Sequence, residues 1–122
     1  MSMSSFSTRS EPDGLVISID RAADLNDFRT STFRDALYQA VLALETPRVA
    51  LNLANVDYLS SSGVAILVGL KRRIDAQQGK LVVFSIHPVV LDLLRVMKLH
   101  QYFTVADSEN EALGSLRPLP TA

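Results

Sequence analysis

Two apolar, strand-like segments with a helix-like segment between them constrain the fold of this chain more than any other feature. The strand patterns occupy residues 48–54 and 81–86, and the helix pattern runs from Ser61 to Gln78. A β-α-β unit of this kind almost always has parallel strands and a right-handed crossover. The Ser-Ser-Ser-Gly loop at 60–63 is therefore predicted to lie at the carboxyl end of a parallel strand and at the amino end of a helix. Ligands usually bind at that edge of an open α/β sheet.

The rest of the chain extends this unit in both directions. The further predicted elements are a short edge strand at 6–10, a half-buried strand at 15–20, a helix at 27–45, a helix with Pro88 in its first position, a short strand at 102–105 and a last helix opened by the capping-box pattern of Ser108. Gly79 is expected to end the central helix in the left-handed conformation. These elements predict one α/β domain at 11–116, with a flexible N-terminus or edge strand at 1–10 and a tail at 117–122.

The periodicity of each helix also predicts which side chains form the core. The predicted core stripes are Phe33, Leu37, Val41 and Leu44 in the first helix, Ile66 or Leu67 with Leu70 and Ile74 in the second, and Val90, Leu93, Leu94 and Met97 in the third. In the strand at 48–54, the small side chains of Ala50, Asn52 and Ala54 share one face, which favours close packing of a helix there.

Composition excludes several kinds of site. The chain has no cysteine, which rules out disulfides, thiolate zinc sites and a cysteine nucleophile. Its 12 basic and 13 acidic residues leave almost no net charge, which weighs against nucleic-acid binding. The longest apolar stretch, 64–70, is far short of the roughly 20 residues that span a bilayer. The first ten residues lack the apolar segment of a signal peptide. We expect a cytoplasmic protein with no membrane segment, metal or cofactor.

The three serines at 60–62 admit four interpretations. Helix capping is the simplest, but one serine satisfies it. A nucleophile is disfavoured because there is no G-x-S-x-G pattern and because neither His87 nor His100 has an acidic partner nearby in sequence. A nucleotide cradle would need more glycines than Gly63 or a following G-K-[ST]. Phosphorylation by a partner kinase fits best, since the amino end of a helix stabilises a phosphate dianion.

The central helix also carries a candidate partner-binding face. If its core stripe faces the sheet, Ala65 and Val68 lean toward solvent beside the serines, and Val64 is a further candidate. Exposed apolar side chains next to a polar site often mark an interface, but burial in the core is an equally good interpretation of these residues. The basic run 71–73 is better explained as a solvated face than as a docking patch.

The order of elements and the Ser-Ser-Gly turn resemble the STAS domains of the anti-sigma factor antagonist type. The resemblance runs over roughly residues 13–116 and rests on VALNLANVDYL, SSG, KRRIDAQQG, KLVVFSI and HPVVLDLLRVMKL. It implies a mixed sheet of four to five strands with a parallel core and about four helices. It also implies a non-enzymatic switch that, when unphosphorylated, binds an anti-sigma factor serine kinase and so frees a sigma factor.

The resemblance also implies roles for individual residues. The kinase would phosphorylate Ser62, with Ser61 as the alternative, and a PP2C-type phosphatase would remove the phosphate. Ser60 would cap the helix in place of the aspartate that the family often has at this position. The implied partner-binding residues are Asp20, Ser61, Ser62, Gly63, Val64, Ala65 and Val68. The segment IDRAADLNDF also departs from the family's usual Gly-Glu/Asp-Leu-Asp turn.

Other functions remain open from sequence. The chain is expected to be a monomer or weak homodimer, but a scaffold subunit of a stress-signalling assembly would self-associate more strongly. A stand-alone STAS module of a transport system is a further alternative. A serine hydrolase would need a catalytic base near Ser61 or Ser62, and His87 is the residue to test.

Overall fold

The computed structural model describes residues 6–21, 25–26 and 31–117, apart from the side chain of Ser31. The strands are β1 (Phe6–Glu11), β2 (Gly14–Ile19), β3 (Arg48–Asn52), β4 (Lys80–Phe84) and β5 (Thr104–Ala106), and the helices of eight residues or more in these ranges are α1 (Ser31–Leu42), α2 (Ser61–Ala76), α3 (Pro88–Val96) and α4 (Glu109–Leu116). The predicted start of the first helix at 27–30 and the end of the predicted tail at 118–122 lie outside the described residues.

The five strands form one sheet in the order of the chain, β1-β2-β3-β4-β5. The β1–β2 pair is antiparallel and the other three pairs are parallel. Because the parallel connections all step in one direction, right-handed crossovers place α1, α2 and α3 on the same face of the sheet. This arrangement confirms the predicted α/β class, with a mixed sheet and a parallel core.

The sheet separates two apolar clusters, and β3 contributes to both. Val49 and Leu51 belong to the larger cluster, which includes the inward-facing residues of α1, α2 and α3. Ala50 points the other way and packs in a smaller cluster with Ala112 and Leu116 of α4. The prediction that a helix packs against the small residues of this strand is confirmed, because Ala50 leaves room for α4.

Two predicted core residues are exposed instead. Leu44 is 38% exposed because α1 ends at Leu42, and Met97 is 44% exposed because α3 ends at Val96. The predicted core stripe ran two positions beyond the last residue of α1 and one position beyond that of α3, where the chain leaves the helical path. The remaining predicted members of both stripes are buried or half-buried.

The prediction that Gly79 takes the left-handed conformation is wrong. Among the described residues no glycine has a positive φ, and Gln78 takes the left-handed conformation with φ of 59°. The N–H of Gln78 donates to Asp75 O at 2.9 Å and that of Gly79 to Ile74 O at 2.9 Å, so the helix still ends in a Schellman motif. Gly79 is needed for space, because a Cβ there would lie 2.0 Å from Pro47 O.

The two later helices begin as the sequence predicts. Pro88 occupies the first turn of α3. Ser108 caps α4 and its Oγ accepts a hydrogen bond from Glu111 N at 3.2 Å. The carboxylate of Glu111 accepts in return from Asp107 N at 3.1 Å, one residue earlier than in the standard capping box.

Candidate functional site

The amino end of α2 is built around the side chain of Ser60. Ser60 is extended, with φ of −85° and ψ of 170°, and its Oγ accepts a hydrogen bond from Gly63 N at 3.1 Å. Its carbonyl accepts the first helical bond, from Val64 N at 2.9 Å. Ser60 is therefore the N-cap of α2, which commits its hydroxyl to holding the helix start.

Asn26 holds this cap in place from the segment that precedes α1. Its Oδ1 accepts from Ser60 N at 2.7 Å, and its Nδ2 donates to Tyr58 O at 2.9 Å. The hydroxyl of Ser60 lies 3.0 Å from Asn26 O and 3.2 Å from Asn26 Oδ1, so it donates to Asn26 while it accepts from Gly63. The side chain is 8% exposed and is the buried polar residue of the described core. We did not identify Asn26 from the sequence, where it is an ordinary polar residue between two apolar segments.

Gly63 is required by the close approach of Asn26. A Cβ at this position would lie 2.1 Å from Asn26 Oδ1 and 3.3 Å from Leu59 Cδ2. The glycine therefore gives the Asn26 amide room to reach the backbone of the loop. Its φ is not positive, so space and not backbone conformation explains this glycine.

The other two serines lie in the first turn of α2 and leave their hydroxyls available. Ser61 is exposed and Ser62 is half-buried. Within the described part of the chain, no hydrogen bond is recorded for the N–H of Ser61 or Ser62 or for either hydroxyl. These two N–H groups and the partial positive charge of the helix end can stabilise a negatively charged group placed beside them.

An outward-facing stripe continues from the serines along α2. Ser61, Ala65, Val68 and Arg72 are spaced three or four residues apart and so lie on one side of the helix. Ser61, Ala65 and Arg72 are exposed and Val68 is half-buried. This set is called the α2 stripe below.

The basic residues beside Arg72 have structural contacts. Lys71 lies 2.8 Å from Asp75 Oδ2 and 5.0 Å from the ring centroid of Tyr102. Arg73 donates to Gly69 O at 3.1 Å and stacks on the ring of Tyr38 at 4.4 Å. Arg72 and Arg73 are exposed, as the interpretation of a solvated face requires, whereas the Lys71 side chain is only 16% exposed and packs against its neighbours.

Val64, which the sequence suggested as a partly exposed residue of the partner-binding face, does not face solvent. It is 6% exposed and packs in the larger core cluster. Its position, three residues before Leu67, places it on the inward side of α2. A partner could touch Val64 only if α2 moved, so the side chain belongs to the core and not to a free surface.

Asp20 follows β2 directly and is exposed. Because β2 and β3 are parallel, the end of β2 lies at the same edge of the sheet as the loop that enters α2. The topology thus brings Asp20 to the same edge of the sheet as Ser61 and Ser62.

His87 does not bond to either serine in the described structure. Its Nε2 lies 2.7 Å from Ala54 O, to which it donates, so the ring ties the entry of α3 to the end of β3. His87, the residue singled out as a possible base, therefore makes no hydrogen bond to Ser61 or Ser62 among the described residues. In the same ranges, no group of three His, Cys, Asp or Glu side chains is placed to hold a metal ion. None of the described helices is both long and apolar enough to cross a membrane.

Comparison with known proteins gives one consistent result. The family model described as STAS domain matches residues 6–112. An anti-sigma F factor antagonist of Paenibacillus polymyxa is 24% identical over 101 residues, which are 83% of this chain and 86% of that protein.

Solved structures show the same fold. An anti-sigma-factor antagonist (STAS) domain protein from Planctomyces limnophilus superposes with a TM-score of 0.79 at 21% identity, over 91% of this chain and 97% of that one. The anti-sigma factor antagonist SpoIIAA in its unphosphorylated form gives 0.73 at 20% identity, over 95% and 99% of the two chains.

Proposed function

The chain belongs to the STAS domain family, and we propose that it is an anti-sigma factor antagonist controlled by phosphorylation at the amino end of α2. Its general role is supported by relatives that carry this name. In the finer mechanism that we propose, the unphosphorylated chain binds an anti-sigma factor serine kinase, and phosphate on Ser62 ends that binding. A PP2C-type phosphatase resets the switch. The proposed role is non-enzymatic and cytoplasmic.

The hydrogen bonds of Ser60 support the choice of another serine as the phosphate acceptor. Its hydroxyl bonds to Gly63 N and Asn26, so phosphate on Ser60 would break the helix cap. Ser61 and Ser62 have no such commitment among the described residues. We favour Ser62 because it directly precedes Gly63, as the acceptor does in the family, although Ser61 is the more exposed of the two.

A phosphate at Ser62 would affect the binding of a partner and not the fold of the domain. It would add about 1.5 to 2 negative charges at pH 7 beside the first-turn N–H groups, which stabilise it and leave α2 intact. The same charge would stand at the end of the α2 stripe, which the proposed partner covers. Binding would then require desolvating the phosphate, so the modification would weaken the complex without unfolding the domain.

The test is phosphorylation by a co-encoded anti-sigma factor kinase with ATP, measured by intact mass. We expect one added phosphate on the wild type, none on Ser62→Ala, and one on the matched control Ser61→Ala. A phosphate that survives on Ser62→Ala and disappears from Ser61→Ala would move the site to Ser61.

The switch itself is tested with Ser62→Asp. We expect its melting temperature to stay within a few degrees of the wild type, since surface changes at a helix end have small effects on stability. Its affinity for the kinase, measured by calorimetry, should fall by about tenfold or more. An unfolded variant, or one that binds as the wild type does, would contradict the proposed mechanism.

A further inference from the structure

The three consecutive serines at 60–62 do not by themselves determine where α2 begins. Serine is among the preferred N-cap residues, so each of the three is suited to start the helix. If Ser61 capped α2, its Oγ would accept from Val64 N and the hydroxyl of Ser60 would be released. A contact from outside the loop is therefore needed to decide which serine caps the helix and which hydroxyls stay available.

Asn26 supplies that contact, from 34 residues earlier in the chain. Its Oδ1 accepts from Ser60 N at 2.7 Å and its Nδ2 donates to Tyr58 O at 2.9 Å. Both bonds go to backbone atoms, so they fix the path of the chain at 58–60 independently of the side chains there. A helix start shifted by one residue would break them, which favours the observed start by about 10- to 100-fold.

The observed start also makes Ser60 a poor phosphate acceptor. In transfer from ATP, the serine Oγ bonds to the γ-phosphorus, the bond from that phosphorus to the ADP oxygen breaks, and the hydroxyl proton passes to a base of the kinase. The Ser60 hydroxyl already donates to Asn26 O at 3.0 Å and accepts from Gly63 N at 3.1 Å. The space beside it is filled as well, because a Cβ at Gly63 would lie 2.1 Å from Asn26 Oδ1.

We propose that Asn26 determines which serine of this loop is phosphorylated, because it fixes the start of α2, commits Ser60 to the cap and leaves Ser61 and Ser62 to the kinase. Asn26 is 8% exposed, so it acts through the loop and not by touching the partner. It is a positioning residue. The choice of acceptor rests on the proposed function, whereas the control of the helix start does not.

The helix start is measured by NMR, from the Cα and Cβ carbon chemical shifts of residue 61, which differ between a helical and an extended residue. We expect helical shifts in the wild type and a displacement toward extended values in Asn26→Ala, where the competing starts become similar in free energy. Ser60→Ala should keep helical shifts, because Asn26 still bonds to the backbone of residues 58 and 60. Leu116→Ala is the matched control for lost stability, since Leu116 is 2% exposed and packs on the other face of the sheet.

The acceptor is measured by incubation with ATP and a co-encoded anti-sigma factor kinase, followed by tandem mass spectrometry that locates the phosphate. In the wild type and in Leu116→Ala we expect it on Ser62, or on the alternative Ser61, with none detected on Ser60. In Asn26→Ala, Ser60 should carry about a tenth or more of the phosphate, because its hydroxyl is released in the shifted helix. A loss of stability alone would not move the phosphate between serines.

Each result bears on a separate step. Helical shifts retained in Asn26→Ala, or extended shifts in Ser60→Ala, would overturn the control of the helix start by Asn26. Circular dichroism checks folding, and Ser60→Ala still decides this step if Asn26→Ala is unfolded. A displaced shift without phosphate on Ser60 would overturn the control of the acceptor. A wild type that no co-encoded kinase modifies would contradict the proposed function and the acceptor role with it, while the NMR result on the helix start would stand.

Discussion

Asn26 and Ser60 form a pair whose hydrogen-bonding roles are complementary. The Asn26 amide accepts from Ser60 N and donates to Tyr58 O, which a carboxylate could not do. The Ser60 hydroxyl accepts from Gly63 N and donates to Asn26, whereas an aspartate at that position could only accept and would face the Asn26 oxygens. Ser60 is thus matched to an asparagine 34 residues earlier in the chain.

Removing the amide of Asn26 tests its part in this arrangement. We expect Asn26→Ala to lower the free energy of unfolding by about 2 kcal/mol, because Ser60 N and Tyr58 O lose a partner in a part-buried site. Asn26→Asp keeps an acceptor for Ser60 N but places a carboxylate oxygen against Tyr58 O in a buried site, so it should also destabilise the domain. Urea unfolding measures both, with the exposed Asn110→Ala as control. A loss for Asn26→Ala no larger than that of Asn110→Ala would contradict the role given to this amide.

Helix α2 ends under a constraint that its own sequence does not reveal. Gly79 must be small because Pro47 O is close, and the left-handed position of the Schellman motif falls on Gln78, one residue earlier. A side chain in the left-handed region costs about 1 kcal/mol relative to glycine. Helix α3 ends in the same way, with Lys98 at φ of 60° and Leu99 N donating to Leu94 O at 2.7 Å.

Gln78→Gly should therefore stabilise the domain. We expect a gain of about 0.5 kcal/mol, since the relief of backbone strain is partly offset by the greater freedom of glycine in the unfolded chain. The melting temperature should rise by roughly 2 to 3 °C, as measured by calorimetry. Gln77→Gly is the matched control and should lower it, because Gln77 has a negative φ of −98°. No rise for Gln78→Gly would mean that the left-handed residue is not strained.

The packing of the whole helical layer depends in part on one polar contact between α1 and α2. The hydroxyl of Tyr38 donates to Ile66 O at 2.8 Å, and its ring lies under the Arg73 guanidinium. A Cβ at Gly69 would lie 2.4 Å from the same hydroxyl, so the two helices approach closely here. Burial raises the pKa of Tyr38 above its ordinary value, and the charge of Arg73 partly offsets this shift.

This contact makes the stability of the domain depend on pH in the alkaline range. A raised pKa in the folded state means that the folded chain holds the proton more tightly than the unfolded chain. The contribution of protonated Tyr38 to the stability of the fold is complete below the ordinary tyrosine pKa of about 10. This contribution is lost as the pH rises through the pKa of Tyr38 in the folded state. Tyr38→Phe should lower the free energy of unfolding by about 1 kcal/mol at pH 7, through the lost hydrogen bond.

The difference in the free energy of unfolding between the wild type and Tyr38→Phe should become smaller above pH 10. Denaturant unfolding at a series of pH values measures this difference. Tyr58→Phe is the control, because Tyr58 is 47% exposed and no hydrogen bond of its hydroxyl is recorded in the described structure. A difference that stays constant across the alkaline range would show that the Tyr38 phenol does not sense burial.

The fold was largely predictable because it depends on local periodicity and on the handedness of crossovers. Each element is marked by a pattern among residues that are close in sequence. These patterns are the alternation in β2 and β3, the stripe of Leu70 and Ile74 in α2, and the proline at the start of α3. Parallel strands then follow from the length of the connection, and the loop before α2 must lie at the carboxyl edge of the sheet. The position of Ser60, Ser61 and Ser62 was therefore available from the sequence.

What only the tertiary structure decided are the contacts between distant segments. Three features depend on how elements that are far apart in the chain pack together. Asn26 contacts the Ser60 loop, Val64 is buried, and Pro47 lies close to Gly79. The exposure of Val89 and Val96 likewise depends on which side of α3 meets the sheet. Periodicity shows that a helix has an apolar side, but its rotation and the neighbours that cover it follow only from packing.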